Sequence, residues 1–222
     1  MFVGHYGVAF ALRSVEKKIP LWLFFLAVQG VDVLWCLLVL AGVEKVSIVP
    51  GINPSTPLSF DYYPYTHSLM AAVGWSAVAF GLYRVTTRYQ GSPRPALILA
   101  LAVASHWFLD LIVHSPDLDL TDESFKVGLG LWNHPLLEMA LELAIFFGGL
   151  AYYLAKYREL TCNRRVAAIV LCVLLAGLQV GSNANPPPSV SLVAISALVL
   201  YLALILAAFL LERPPQAVAP GR

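Results

Sequence analysis

All five histidines of the chain fall into one spaced series with carboxylates. The series runs His5, Asp32, His67, then His106, Asp110 and His114, then His134, Glu138 and Glu142. Histidine with Asp and Glu at helical spacing is the donor set of a metal site, because imidazole nitrogen and carboxylate oxygen both bind zinc and related ions. Two triplets are the most informative. His106, Asp110 and His114 recur at i, i+4, i+8, as do His134, Glu138 and Glu142, and at ~100° per residue each triplet stays within ~80° of one helix face. Each helix would therefore carry a stripe of ligands.

The elements that hold these stripes read as membrane. With 59% hydrophobic residues, 12% charged residues and a mean hydropathy of +0.75, the chain is too apolar for a soluble domain. Crossing a hydrocarbon core of ~30 Å takes ~20 helical residues. Runs of about that length occur at about Ile19–Val43, Thr66–Tyr83, Pro95–His114, Leu131–Ala155, Arg165–Gly181 and Val190–Leu211. The expected fold is all-α and polytopic, with six spans in one integral domain, 1–212, and a Pro-rich disordered cytoplasmic tail, 213–222. Charge supports the count, since Lys and Arg gather on the cytoplasmic side. Six spans with both ends inside put every one of the fourteen Lys and Arg in the cytoplasm except Lys45 and Lys126. The acidic loop Asp117–Glu123 and the turn Asn183–Ser189 are then external.

Met1–Leu12 is apolar and precedes a basic cluster, the reverse of a secretory signal, and it is too short to span. It reads as a re-entrant or interfacial helix. Inserted from the cytoplasm, it would carry His5 ~18 Å deep, near the midplane. Glu44–Tyr65, with Pro50, Gly51, Asn53, Pro54, Pro57 and Pro64, reads as a long ordered or semi-ordered external loop. Cys36, Cys162 and Cys172 are odd in number and form no close pair, so they read as packing residues rather than a disulfide framework or thiolate site. There is no repeat and no nucleotide-binding glycine motif, and no nucleic-acid partner is expected.

An ionisable group held in hydrocarbon costs at least ~2.5 kcal/mol on the insertion scale. Taken singly, Asp32 reads as a helix-bonding or proton-relay residue, His67 as an interfacial histidine and His5 as a packing residue. The stripes change this. No Lys or Arg lies within those faces to pair with Asp110, Glu138 and Glu142, so the carboxyls must be protonated or neutralised by a bound cation. The third and fourth spans, joined by Ser115–Gly130, can pack antiparallel with the stripes opposed. Thr66 and Ser68 flank His67 with hydroxyls able to orient its ring.

The order His5, Asp32, His67, His106-x-x-x-Asp110, His114, His134-x-x-x-Glu138 resembles the ligand series of zinc-dependent phospholipases C and single-strand-specific zinc nucleases. The segments around Asp32, Thr66-His67-Ser68 and Ser105-His106-x-x-x-Asp110 also look like a bacterial inner-membrane family of metal-dependent hydrolases. The resemblance covers roughly residues 5–138. It implies one zinc on Asp32, His67, His106 and Asp110, a second on His114, His134 and Glu138, and a third on His5 with Asp110 bridging. Two departures stand out. The membrane family carries Pro-Asp-x-Asp where this chain has Val31-Asp32-Val33-Leu34, and the soluble enzymes use the mature N-terminal amine and carbonyl at the third metal, whereas here Met1 is only four residues from His5.

The resulting expectation is a zinc-dependent hydrolase in the bacterial inner (plasma) membrane. Two or three zinc ions bridged by Asp110 would acidify a bound water for attack on a phosphoester of a lipid or amphipathic substrate, with Glu142 orienting a ligand or acting as a base. Two other classes use similar residues. An ion- or proton-coupled transporter (permease) would also bury His and carboxylates. A di-iron oxidase or hydroxylase would place His and Glu on four helices, although its usual Glu-x-x-His pairs are missing.

Overall fold

The structure, a computed structural model, describes residues 1–121, 125–158, 160–181 and 187–212. The expected tail 213–222, and parts of the acidic loop and of the turn before the last span, lie outside the described residues. The protein is an all-helical bundle with two small sheets. Its long helices are α2 (Leu21–Leu40), α4 (Leu69–Thr86), α5 (Arg94–Val113), α6 (Pro135–Lys156), α7 (Cys162–Gly181) and α8 (Val190–Glu212), with the short α1 (Val3–Val15) and the single turn α3 (Pro64–His67). The six long helices are long and apolar enough to cross a membrane. Their outward faces carry Met70, Leu82, Leu101, Leu174, Val199 and Leu206, all exposed. So continuous an apolar surface calls for lipid rather than water. This is a membrane protein.

Each long helix starts and stops within a few residues of its expected run, where the local chemistry dictates. Pro20 precedes α2 and Pro135 opens α6, positions at which the missing N–H costs nothing. Helix α2 ends on Gly42, whose φ of +71° only glycine adopts without strain. There the Gly42 N–H reaches the Val39 carbonyl and the Val43 N–H reaches that of Leu38, the paired closure of a glycine-stopped helix.

The region 44–65 departs from the expected loop. Strands β1 (Lys45–Ile48) and β2 (Leu58–Tyr62) pair antiparallel into a hairpin. A second, minimal pair, β3 (Leu118–Asp119) and β4 (Lys126–Val127), joins α5 to α6. Both hairpins sit at the end of the bundle opposite the basic one. At the basic end Arg13 Nε meets Glu212 Oε1 at 2.7 Å, the Tyr157 hydroxyl donates to the Arg13 carbonyl, and Arg94 approaches Glu16.

The short helix α1 is buried within the bundle. It packs on α6, α2 and α5, and Val3, His5, Tyr6, Ala9 and Phe10 are wholly buried. Phe10 contacts the rings of Phe25, Phe146 and Tyr153, an aromatic core that holds α1 in the centre. Two glycines permit the approach to α6. A Cβ on Gly149 would collide with the Gly7 carbonyl, and one on Gly7 with that of Ile145. Backbones this close gain packing that bulkier residues would forbid.

Two measurements check this arrangement. In a Cys-free background, cysteine at Asp61, the exposed position of β2, should react with an impermeant thiol reagent from outside the cell and cysteine at Arg88 should not; the opposite pattern inverts the orientation. Gly149→Val should lower the melting temperature, with a cost of about 1–3 kcal/mol for forced overpacking, whereas Gly148→Val, where a Cβ meets nothing, should leave it unchanged.

Candidate metal centre

Each element delivers one or two donors to a common point. Asp32 comes from the middle of α2, His67 from α3 at the head of α4, His106 and Asp110 from successive turns of α5, and His5 from α1. All but Asp32 are buried, and Asp32 is nearly so.

The tautomers follow from the partners. His106 Nδ1 lies 2.7 Å from the Val28 carbonyl of α2. A carbonyl has no proton to give, so in the neutral ring Nδ1 is the donor and Nε2 holds the lone pair. His67 Nδ1 lies 2.7 Å from the Thr66 hydroxyl, which likewise leaves Nε2 as the inward atom.

Those two Nε2 atoms face two carboxylates. His106 Nε2 is 3.0 Å from Asp110 Oδ2 and 3.5 Å from Asp32 Oδ1, and His67 Nε2 is 3.1 Å from Asp32 Oδ1 and 3.8 Å from Asp110 Oδ2. Lone pairs directed at anions repel unless a proton or a cation lies between them. A zinc ion bound at ~2.0–2.2 Å by nitrogen and oxygen in a tetrahedron requires donors roughly 3.3–3.6 Å apart. The four measured edges bracket that range. At 3.0 Å, His106 Nε2 still makes no aligned hydrogen bond, and neither ring nitrogen of His5 makes one. His67 Nε2 is in hydrogen-bonding geometry with Asp32 Oδ1 at 3.1 Å, whereas the inward nitrogen of His106 and both nitrogens of His5 converge on the same point without such a partner, a set that a cation would complete.

Asp110 divides its oxygens. Oδ2 faces His106 and His67, while Oδ1 lies 3.2 Å from His5 Nε2 and 2.8 Å from the amine of Met1. The His5 ring stacks on that of His106 with centroids 3.9 Å apart. Two donor groups able to hold a metal result, Asp32 with His67 and His106, and His5 with His106 and Asp110. Asp110 is placed to bridge them.

The remaining members of the series lie elsewhere. His114, just past α5, has Nδ1 2.9 Å from Asp117 Oδ1, with the Tyr63 hydroxyl 3.4 Å away and Trp132 and Phe60 against its ring. His134 is exposed at the start of α6. Glu138 is buried against Glu142, one turn on. Among the described residues His114, His134 and Glu138 do not form one donor group. Glu142 accepts the backbone N–H groups of Phe2, at 2.9 Å to each oxygen, and of Gly4, at 3.0 Å. It therefore caps α1, which has no side-chain cap of its own, and an anion there also suits the positive end of the helix. The residue read as orienting a ligand or acting as a base holds the N-terminus of the helix that carries His5.

Several contributors are absent from the sequence reading. Gln29 Nε2 donates to Asp32 Oδ2, Asp117 orients His114, and Glu44 bonds Thr66. Burial pushes the Glu44 carboxyl up, against the opposing hydrogen bond from Thr66. Burial also raises the Tyr63 phenol well above its usual range, with Asp117 adding to the effect, so this hydroxyl stays protonated beside His114. Of the two hydroxyls flanking His67 only Thr66 touches it. Ser68 instead accepts the Ala71 N–H as the cap of α4. Asp117 is one of several acids in its loop and Glu44 is a single acid near the end of α2, and nothing in their spacing marks them.

Searches against protein-family models, curated proteins and solved structures found no match.

Because Asp110 belongs to one donor group and turns Oδ2 toward the two histidines of the other, Asp110→Asn keeps its shape and removes a charge placed between them. Purified Asp110→Asn protein should lose bound metal altogether, whereas Asp61→Asn, on the exposed hairpin, should keep the full complement. Metal retained in Asp110→Asn would remove it from the centre.

Proposed function

We propose that this chain is a metal-dependent hydrolase of the bacterial inner membrane, with both termini cytoplasmic, its centre in the external half of the bilayer, and a phosphoester of a lipid or amphipathic molecule as substrate. The observation that carries the reading is the convergence of two imidazole nitrogens, His67 Nε2 and His106 Nε2, on two carboxylate oxygens, Asp32 Oδ1 and Asp110 Oδ2, at separations of 3.0, 3.1, 3.5 and 3.8 Å. The type and order of these ligands support zinc over other ions.

A bound zinc pair would supply Lewis acidity toward a phosphoryl oxygen and acidify a water. The protein's own groups have the complementary task. Val28 and Thr66 hold the two imidazoles with lone pairs inward, and Asp110 offers one oxygen to each donor group. A cavity of about 480 Å³ adjoins the centre through Met1 and Glu142, and Leu192, Val193, Ala197 and Leu200 of α8 form an apolar wall. This volume is in the range of small-molecule sites. Its polar and apolar walls suit an amphiphile whose tail follows the last span. No Lys or Arg among the described residues lines it, so neutralising a phosphoester there falls to the metal.

Elemental analysis of detergent-purified protein, paired with release of phosphate or phosphomonoester from phospholipid vesicles, tests the reading. Zinc, with turnover abolished by chelation and restored by zinc alone, is the expected result. Iron with no hydrolysis would favour an oxidase. Protein that is folded yet free of metal would favour a proton-carrying transporter and end the hydrolase reading.

A further inference from the structure

Glu44 lies outside every span and outside the ligand series, yet it is only 1% exposed. The glycine stop of α2 puts it there, since the Glu44 N–H joins that of Val43 on the Leu38 carbonyl. From the foot of the β1–β2 hairpin its side chain turns toward the turn α3. Oε1 accepts the N–H groups of Tyr65 at 2.9 Å and Thr66 at 3.0 Å, and Oε2 accepts the Thr66 hydroxyl at 2.8 Å.

That last bond decides the polarity of the next. A hydroxyl has one proton, and Thr66 gives it to Glu44, so toward His67 Nδ1, 2.7 Å away, Thr66 can only accept. His67 Nδ1 must then be the N–H, and in the neutral ring Nε2, 3.1 Å from Asp32 Oδ1, carries the lone pair that a metal between them would take. Were Thr66 free to rotate, its proton could point at Nδ1. The ring would then take the other tautomer, with N–H directed into the donor group where a metal needs a lone pair.

We propose that Glu44 is a positioning residue of the metal centre, acting through the Thr66 hydroxyl to fix the metal-binding tautomer and orientation of His67. The proposal rests on the metal-centre reading and deepens it. Carboxylates that orient a ligating histidine usually bond the ring directly, and their removal typically costs ~10–100-fold in metal affinity. Here the hydroxyl stands between them, and the same carboxylate clamps the backbone at Tyr65 and Thr66. The foot of the external hairpin and the metal ligand are thereby held as one unit.

The test is zinc affinity of the full-length protein in detergent, measured by competition with a chromophoric chelator. Thr66→Val preserves shape but removes the acceptor, and Glu44→Ala frees the hydroxyl; each should weaken zinc binding ~10–100-fold. Thr66→Ser, which keeps the hydroxyl, should bind as the wild type does. The double variant Glu44→Ala/Thr66→Val should be no weaker than Thr66→Val alone, because both act along one chain of bonds. A nitrogen-15 spectrum of the imidazoles adds a readout that lost packing would not produce, with His67 protonated at Nδ1 in the wild type and the tautomer mixed in Glu44→Ala. Wild-type affinity in Thr66→Val, or a loss in Thr66→Ser as large as in Thr66→Val, would overturn the role of Glu44 while leaving the centre intact. Wild-type protein that takes up no zinc would overturn the metal-centre reading itself.

Discussion

Two carboxylates, Asp32 and Asp110, lie among imidazoles inside a helical bundle whose outer surface is made for lipid. Desolvating a carboxylate is costly, and it is tolerated only with close compensation. Two of the imidazoles cannot compensate as neutral hydrogen-bond donors, because Val28 and Thr66 hold their N–H groups on the far side. The group is thus built with a deficit of positive charge at its centre. A cation would fill that deficit and turn the converging donors into ligands. The amine of Met1 and the imidazole of His5 meet the other oxygen of Asp110, so the neutralisation of Asp110 is shared between two sides.

The rest of the fold serves to bring α1 to that point. A thirteen-residue helix cannot span a bilayer, so its upper end would leave unpaired N–H groups in an apolar interior. Glu142 removes the difficulty by accepting the N–H groups of Phe2 and Gly4 from the neighbouring α6. The glycine contact at Gly7 and Gly149 sets the distance between the two helices. At the other end Glu212 of α8 accepts both Arg13 Nε and the Leu21 N–H, tying the end of α1 to the start of α2. Helix α1 is anchored at both ends by carboxylates from other helices, and this fixes where His5 stacks on His106.

The spans were legible because hydrophobic length and the placement of Lys and Arg are properties of the chain itself. Asp32, His67, His106 and Asp110 were legible for a related reason, since buried ionisable groups at helical spacing have few uses. The β1–β2 hairpin was not. Its strands are four and five residues long, and the Pro-rich composition of 44–65 masks them. Glu44 and Asp117 were hidden as well. An acid beyond the end of a span has the composition of a solvated one, and only the tertiary fold shows that it is turned inward.

The stripe on α6 shows where spacing stops being informative. His134, Glu138 and Glu142 share a helix face, and that face does turn toward the site, yet its members separate in role. His134 sits before the first turn and is exposed. Glu142, two turns deeper, meets α1 rather than the donor groups. Periodicity fixes which side of a helix a carboxylate occupies but not what stands opposite it. On α5 the opposing groups are imidazoles, so a carboxylate there joins a set of donors able to hold a metal. On α6 they are the free N–H groups of a helix that begins inside the bundle, and a carboxylate of the same spacing becomes a cap. The difference originates in α1, whose N-terminal N–H groups stand opposite Glu142.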